Sequence, residues 1–110
     1  MESEEQRGAL TSRLFPGGMP RLWVPLLTFY NDAGEIDADH TQAHHDFLSP
    51  QVNSFLTPGS TGDGWELTGP ETDRLLKMQL EVARRRKHRV MRGVLRTERG
   101  AAARATKEMI

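Results

Sequence analysis

The sequence predicts an α/β chain assembled on a parallel sheet. Its elements read as a helix followed by strand and helix three times over, the order that right-handed βαβ units produce. The first predicted strand, LWVPLLTFY, is apolar at nearly every position, which suits a strand covered on both faces. The second ends in PGSTGDGWELT, Pro58 to Thr68, where three glycines and several hydroxyls crowd into one turn. In α/β proteins ligands occupy the crevice beyond the carboxyl ends of parallel strands, so this turn is the first place to look for a site.

Each element has a local cause. Glu2 to Phe15 holds good helix formers, with Leu10 and Leu14 one turn apart, and PGGMP breaks that helix. Leu22 to Tyr30 forms the first strand; Pro25 within it has no N–H for a ladder, so an irregularity is expected there. The turn Asn31 to Gly34 leads to Asp37, the N-cap of a helix over Ala38 to Leu48 whose clearest apolar contacts are Phe47 and Leu48. Pro50 ends it, and Val52 to Thr57 is the second strand. Thr68 with Glu71 three residues on makes a capping box, and Pro70 sits in the first turn, where its missing N–H costs little. Leu75, Leu76, Met78, Leu80, Val82 and Ala83 are the apolar positions of the helix that follows, which reaches Arg86. Its basic end, RRRKHR, suits the negative pole of the helix dipole. His88 to Leu95 reads as the third strand and Glu98 to Ile110 as a last helix without an evident C-cap. Three strands and their helices close into nothing, and the chain stops on Met109 and Ile110 in mid-helix, so the expectation is the beginning of a larger fold.

Composition excludes several classes. A chain of 110 residues with an apolar content of 36% and a mean hydropathy of −0.60 supplies one modest core and reads as soluble rather than membranous. Fifteen basic residues balance fifteen acidic ones, so net charge draws in neither nucleic acid nor an anionic membrane. The absence of cysteine rules out disulfides, thiolate catalysis and sulfur-ligated zinc. The leading MESEEQRGALTSRLF lacks an apolar core of signal-peptide length, and the cytoplasm is the expected compartment.

Ser60 and Thr61 lie between Gly59 and Gly62. Small residues let main-chain N–H groups approach a ligand there while two hydroxyls bond its oxygens, which suits a carboxylate or a phosphate. An ordinary glycine-rich loop has the same composition, and neither GxGxxG nor GK[ST] is present, so spacing alone leaves both readings open. In DADHTQAHHD, His40 and His44 stand one helical turn apart, yet the glutamate of HExxH is missing. A solvated polar helix face explains the cluster more simply, and no metal is expected. Trp65 and Glu66 either line the mouth of a site or pack the loop, and packing is the preferred reading. Arg84 to Arg89 alternates with no aromatics and reads as a solvated helix end rather than a nucleic-acid surface.

Taken together, LWVPLLTFYNDAGEID, HHDFL, GSTGDGWELT and HRVMRGV resemble the opening of the dihydrodipicolinate synthase and N-acetylneuraminate lyase family, from about Leu22 onward. In that family a strand of the form VPLVTPF is followed by DGEID, and the second strand ends in G[ST]TGE. Here Thr28-Phe29-Tyr30 replaces threonine-proline-phenylalanine and Asp63 replaces the glutamate. Thr41 and His44 also depart from the pattern, standing where the first barrel helix usually turns apolar residues to the sheet.

The resemblance implies a partial (β/α)8 TIM barrel: residues 1–21 as an extension with a short helix, and residues 22–110 as the first three βα units. It also implies class I aldolase chemistry without a cofactor, in which a lysine amine condenses with the ketone of pyruvate or another 2-keto acid. The Schiff base is then the electron sink for making or breaking a carbon–carbon or carbon–oxygen bond. Carried over, Ser60 and Thr61, framed by Gly59 and Gly62, receive the keto-acid carboxylate, and the Ser60 hydroxyl joins a proton relay with a tyrosine. The family's lysine and relay tyrosine belong to the second half of the barrel, and a full barrel takes roughly 250 residues. Lys77, Lys87 and Lys107 fall on predicted helices or a helix end, none at the tip of a strand. The expected function is that of the amino-terminal fragment of a lyase or synthase, inactive alone. The alternative is a small non-catalytic carboxylate-binding or interaction protein derived from the same fold. Synthase, lyase and dehydratase remain open, and a homo-oligomer is implied only for the full-length parent.

Overall fold

A computed structural model describes residues 3–108. Its elements are α1 (Glu4–Leu14), β1 (Val24–Pro25), α2 (Ala38–Leu48), β2 (Ser54–Thr57), α3 (Gly69–Arg86), β3 (Arg89–Arg92) and α4 (Ala101–Glu108). The strands form one sheet in the order β1-β2-β3, both pairs parallel, so the chain is of the α/β class. The helix ends expected at Glu2 and at Met109 and Ile110 lie outside the described residues. Among the described residues no helix is long and apolar enough to cross a membrane.

The first strand is shorter than its apolar run predicts. Only Val24 and Pro25 pair, opposite Phe55 and Leu56, and the N–H of Leu26 donates to the carbonyl of Leu56 at 3.1 Å. Backbone groups alternate sides along a strand, so the nitrogen of Pro25 points away from β2 and its missing N–H costs the ladder nothing. Beyond Leu26 the run leaves the sheet. Tyr30 bridges Ile36 in antiparallel sense, Asp37 N–H donates to the carbonyl of Phe29 at 2.8 Å, and Asn31 Oδ1 accepts from the N–H groups of Ala33 and Glu35. The tight turn between them uses Gly34 at φ +80°, a conformation that favours glycine.

Helix boundaries follow their caps. The Asp37 carboxylate accepts from His40 N–H at 2.9 Å, a bond that holds this group below the usual carboxylate range. Thr68 and Glu71 form the reciprocal capping box, and α3 stops where Lys87 turns left-handed at φ 58°. Thr72, Leu75, Gln79 and Val82 recur every three or four residues and make the buried stripe of α3.

The inward face of α2 differs from the expectation. Phe47 is 81% exposed, whereas Thr41 and His45 are fully buried. Residues four apart share one helix face, and Phe47 lies on another. The polar groups on the buried face are partly satisfied: the Thr41 hydroxyl accepts from Phe29 N–H at 3.4 Å and His45 Nε2 lies 3.1 Å from His88 Nδ1, while His45 Nδ1 has no partner among the described residues.

Helices α2 and α3 pack on one face of the sheet, and the other is open toward the carboxyl ends of the strands, though Ser54 on that face is buried. Phe55 packs edge-on against the ring of His45 at 4.6 Å, and the Thr57 hydroxyl bonds Gln79 of α3. Register puts Pro25, Leu56 and Met91 side by side on the opposite face, where Pro25 and Met91 are exposed. The radius of gyration, 15.3 Å, exceeds the roughly 13 Å of a close-packed chain of this length. An uncovered apolar sheet face is a surface for association. The isolated chain is accordingly expected to raise the fluorescence of a hydrophobic dye under native conditions. No enhancement, together with a sharp thermal transition from a monodisperse monomer, would show that face to be closed in solution.

Candidate functional site

The loop from Pro58 to Leu67 leaves the carboxyl end of the central strand and coils back on itself. Gly62 and Gly64 both donate their N–H to the carbonyl of Gly59, at 3.2 and 2.9 Å, and Asp63 N–H donates to that of Ser60 at 3.2 Å. Asp63 is left-handed at φ 62°, and its carbonyl accepts from the N–H groups of Glu66 and Leu67. The coil presses against β1: a Cβ on Gly62 would lie 2.5 Å from the carbonyl oxygen of Leu26, so only glycine fits without a shift. The Thr28 hydroxyl adds a bond to the carbonyl of Gly62 at 2.7 Å.

Gly59, Gly62 and Gly64 are therefore buried, and Ser60 and Thr61 form an exposed crest. Gly62 spends its N–H inside the loop, whereas the N–H groups of Ser60 and Thr61 meet no protein acceptor among the described residues. Two adjacent N–H groups without a protein acceptor, beside two hydroxyls, are donors of the kind that anion oxygens accept. Trp65, expected to pack the loop, is 49% exposed and donates its indole N–H to Ser60 Oγ at 3.0 Å. That bond fills one lone pair of the hydroxyl and leaves its proton free to be donated.

Tyr30, which the sequence marks only as a departure from the family pattern and not as a site residue, buttresses the loop. Its hydroxyl donates to Asp63 Oδ2 at 2.9 Å, and burial, then the bond to Asp63 and the charges of Asp63, Glu71 and Glu66, push its pKa up to about 12. The phenol thus stays protonated at neutral pH and ties the end of the first apolar run to the loop. The only signal for this pair in the sequence was the polar character of both residues, which lie 33 positions apart.

The histidines part company. His40 is exposed beside Asp37, and only it fits the expected solvated face. His44 Nε2 accepts from the N–H of Leu27 at 3.3 Å, and burial lowers its pKa. His45 is fully buried, and its Nε2 faces His88 Nδ1, while His88 Nε2 lies 3.3 Å from Ser49 Oγ. Burial, and then the neighbouring His88, lower the pKa of His45 to about 4. Among the described residues no group of three or more acidic or histidine side chains is arranged to hold a metal ion. Lys77 lies on α3, Lys87 caps it and Lys107 lies on α4, all exposed and none at a strand tip.

No family model matches the chain, and neither does any curated protein or solved structure.

Proposed function

We propose that residues 22–110 are the first three βα units of a (β/α)8 barrel of the dihydrodipicolinate synthase type, and that the chain is the amino-terminal part of a Schiff-base-forming lyase or synthase acting on pyruvate or another 2-keto acid. The observation that carries this reading is the crest of Ser60 and Thr61, with two unclaimed N–H groups and two hydroxyls at the carboxyl end of the central strand. A keto-acid carboxylate accepts these N–H groups and the Thr61 hydroxyl. Gly59 and Gly62 let the loop coil tightly enough to aim them. Ser60, its oxygen already taken by Trp65, retains a proton to pass on, as a relay requires. Two of the residues that depart from the family pattern in this region, Tyr30 and Asp63, are bonded to each other, so the exchange keeps the loop anchored.

A bound carboxylate needs a nucleophilic amine before any chemistry follows. The three lysines sit on helices or a helix cap, so the chain alone binds and does not turn over. One observation favours the second reading, a non-catalytic carboxylate-binding or interaction protein. The outer edge of β1 is blunted, since Pro25 has no N–H to offer a further strand and Leu27 gives its own to His44.

The experiment completes the barrel with the carboxyl-terminal strands of a related enzyme. Ser60→Ala and Thr61→Val should each weaken pyruvate binding about tenfold or more, because an unmade hydrogen bond to a charged group costs roughly 1.5 to 3 kcal/mol. His40→Gln and His44→Gln should leave turnover unchanged; the reverse pattern would end the carboxylate reading. Borohydride with pyruvate should leave the 110-residue chain unlabelled. A stoichiometric adduct on Lys77, Lys87 or Lys107, detected by mass, would relocate the chemistry.

A further inference from the structure

The amino-terminal end of the sheet, opposite the Ser60 crest, carries a positive cluster that the proposed function leaves unused. Arg84, Arg85, Arg86, Lys87 and Arg89 are five cations within six consecutive positions, wrapped around the end of α3 and the start of β3. Among the described residues only Arg86 meets a carboxylate, that of Asp46 at 3.0 Å. The carbonyl end of α3 contributes about half a negative charge. Four cations against half a charge leave a strong local excess.

That excess surrounds a cavity. A cleft of about 400 Å³ lies between α3 and β3, with Arg84, Lys87 and Arg89 among the residues that line it and Leu80, Ala83 and Val90 as its apolar part. Its remaining lining residue is His88, whose two ring nitrogens already face His45 and Ser49. Among the described residues no carboxylate lines it. The cleft of about 280 Å³ beside Arg92 and Arg96 differs in this respect: Asp73 and Glu108 line it as well, and Asp73 lies 3.6 Å from Arg92.

One of the three cations is also held in place, whereas Lys87 has only its backbone set by the left-handed helix cap and its side chain is exposed. The Arg89 guanidinium donates to the carbonyl of Leu14 at 3.3 Å and lies over the ring of Phe15 at 5.0 Å, which leaves most of its five donors unspent. Cations ordered before binding lose less freedom on meeting a ligand.

We propose that this cleft is a binding site for a small phosphomonoester with an apolar body, the phosphate held by Arg84, Lys87 and Arg89 and the body lying on Leu80, Ala83 and Val90. The inference stands independently of the Ser60 loop. Bound phosphate oxygens match the forked donors of arginine and the point charge of lysine. The apolar part of the cleft discriminates against inorganic phosphate, which has nothing to bury there.

The test is titration of the full chain with phenyl phosphate at low ionic strength, followed by calorimetry and by amide shifts. Saturable binding at one site is expected, tighter than that of inorganic phosphate by severalfold, with shifts confined to residues near 80–90. Arg84→Gln and Lys87→Asn should each weaken it tenfold or more, asparagine being chosen because it tolerates the left-handed cap. Arg85→Gln, which removes a charge outside the cleft, should change it less than twofold. Equal losses in all three variants, or tighter binding of a single-stranded oligonucleotide, would show a general polyanion surface and overturn the proposal. So would shifts centred on Gly59 to Gly62, a reading that needs no variant to fold.

Discussion

Gly93→Val is expected to destabilise the chain by about 3 kcal/mol, at the upper end of what overpacking a close-packed site costs. Gly93 follows β3, and its N–H donates to the carbonyl of Thr57 at 3.2 Å, which draws the backbone of the third strand against the start of the glycine-rich loop. A Cβ built there collides with the carbonyl oxygen of Pro58, a backbone atom that no rotamer change can move aside. A branched side chain must therefore push Pro58 and Gly59 away, and with them the crest of Ser60 and Thr61. A net stability of order 5 to 15 kcal/mol makes such a loss visible in a urea midpoint. Gly8→Ala is the control. Gly8 sits within α1 with nothing within 4 Å of its would-be Cβ, and alanine there should gain roughly 0.5 to 1 kcal/mol. Equal effects at the two glycines would show that the contact between β3 and the loop is not made in solution.

Acid should weaken the fold through His45, by about 3 kcal/mol on going from pH 7 to pH 4. In the unfolded chain this histidine takes up a proton near its ordinary 6.5, whereas burial keeps it neutral in the fold down to about 4. Across that window the unfolded state binds more protons, so stability falls as pH falls, and below about 4 this group adds no further slope. The groups around it explain the direction. His88 faces it from β3's approach, His44 and Asp46 flank it on α2, and Arg85 reaches it from α3; Asp46 is the one neighbour that favours its protonation. His88, itself lowered by burial, works in the same sense. Denaturant unfolding followed between pH 7.5 and 4 should show this slope in the native chain and a smaller one, carried by His44 and His88, in His45→Gln, which keeps a hydrogen-bonding side chain toward His88. An unchanged slope in the variant would place the titrating group elsewhere.

How much was legible in the sequence depends on the reach of each interaction. The helix starts at Asp37 and Thr68 rest on bonds that close within three residues, so residue type and spacing were enough. The strand–helix alternation and the glycine-rich turn after the second strand were equally readable, since each is a run of neighbours. Tertiary structure alone decided the rest. It shortened the first strand to Val24 and Pro25, because the chain leaves β2 after Leu26 and turns to meet Ile36 and Asp37. It exposed Phe47 and buried His45, because a helix face is chosen by what packs on it, and the partner His88 lies 43 residues away. It also joined Tyr30 to Asp63 and Trp65 to Ser60, contacts in which a polar tip finds its mate only after the chain has folded back across the end of the sheet.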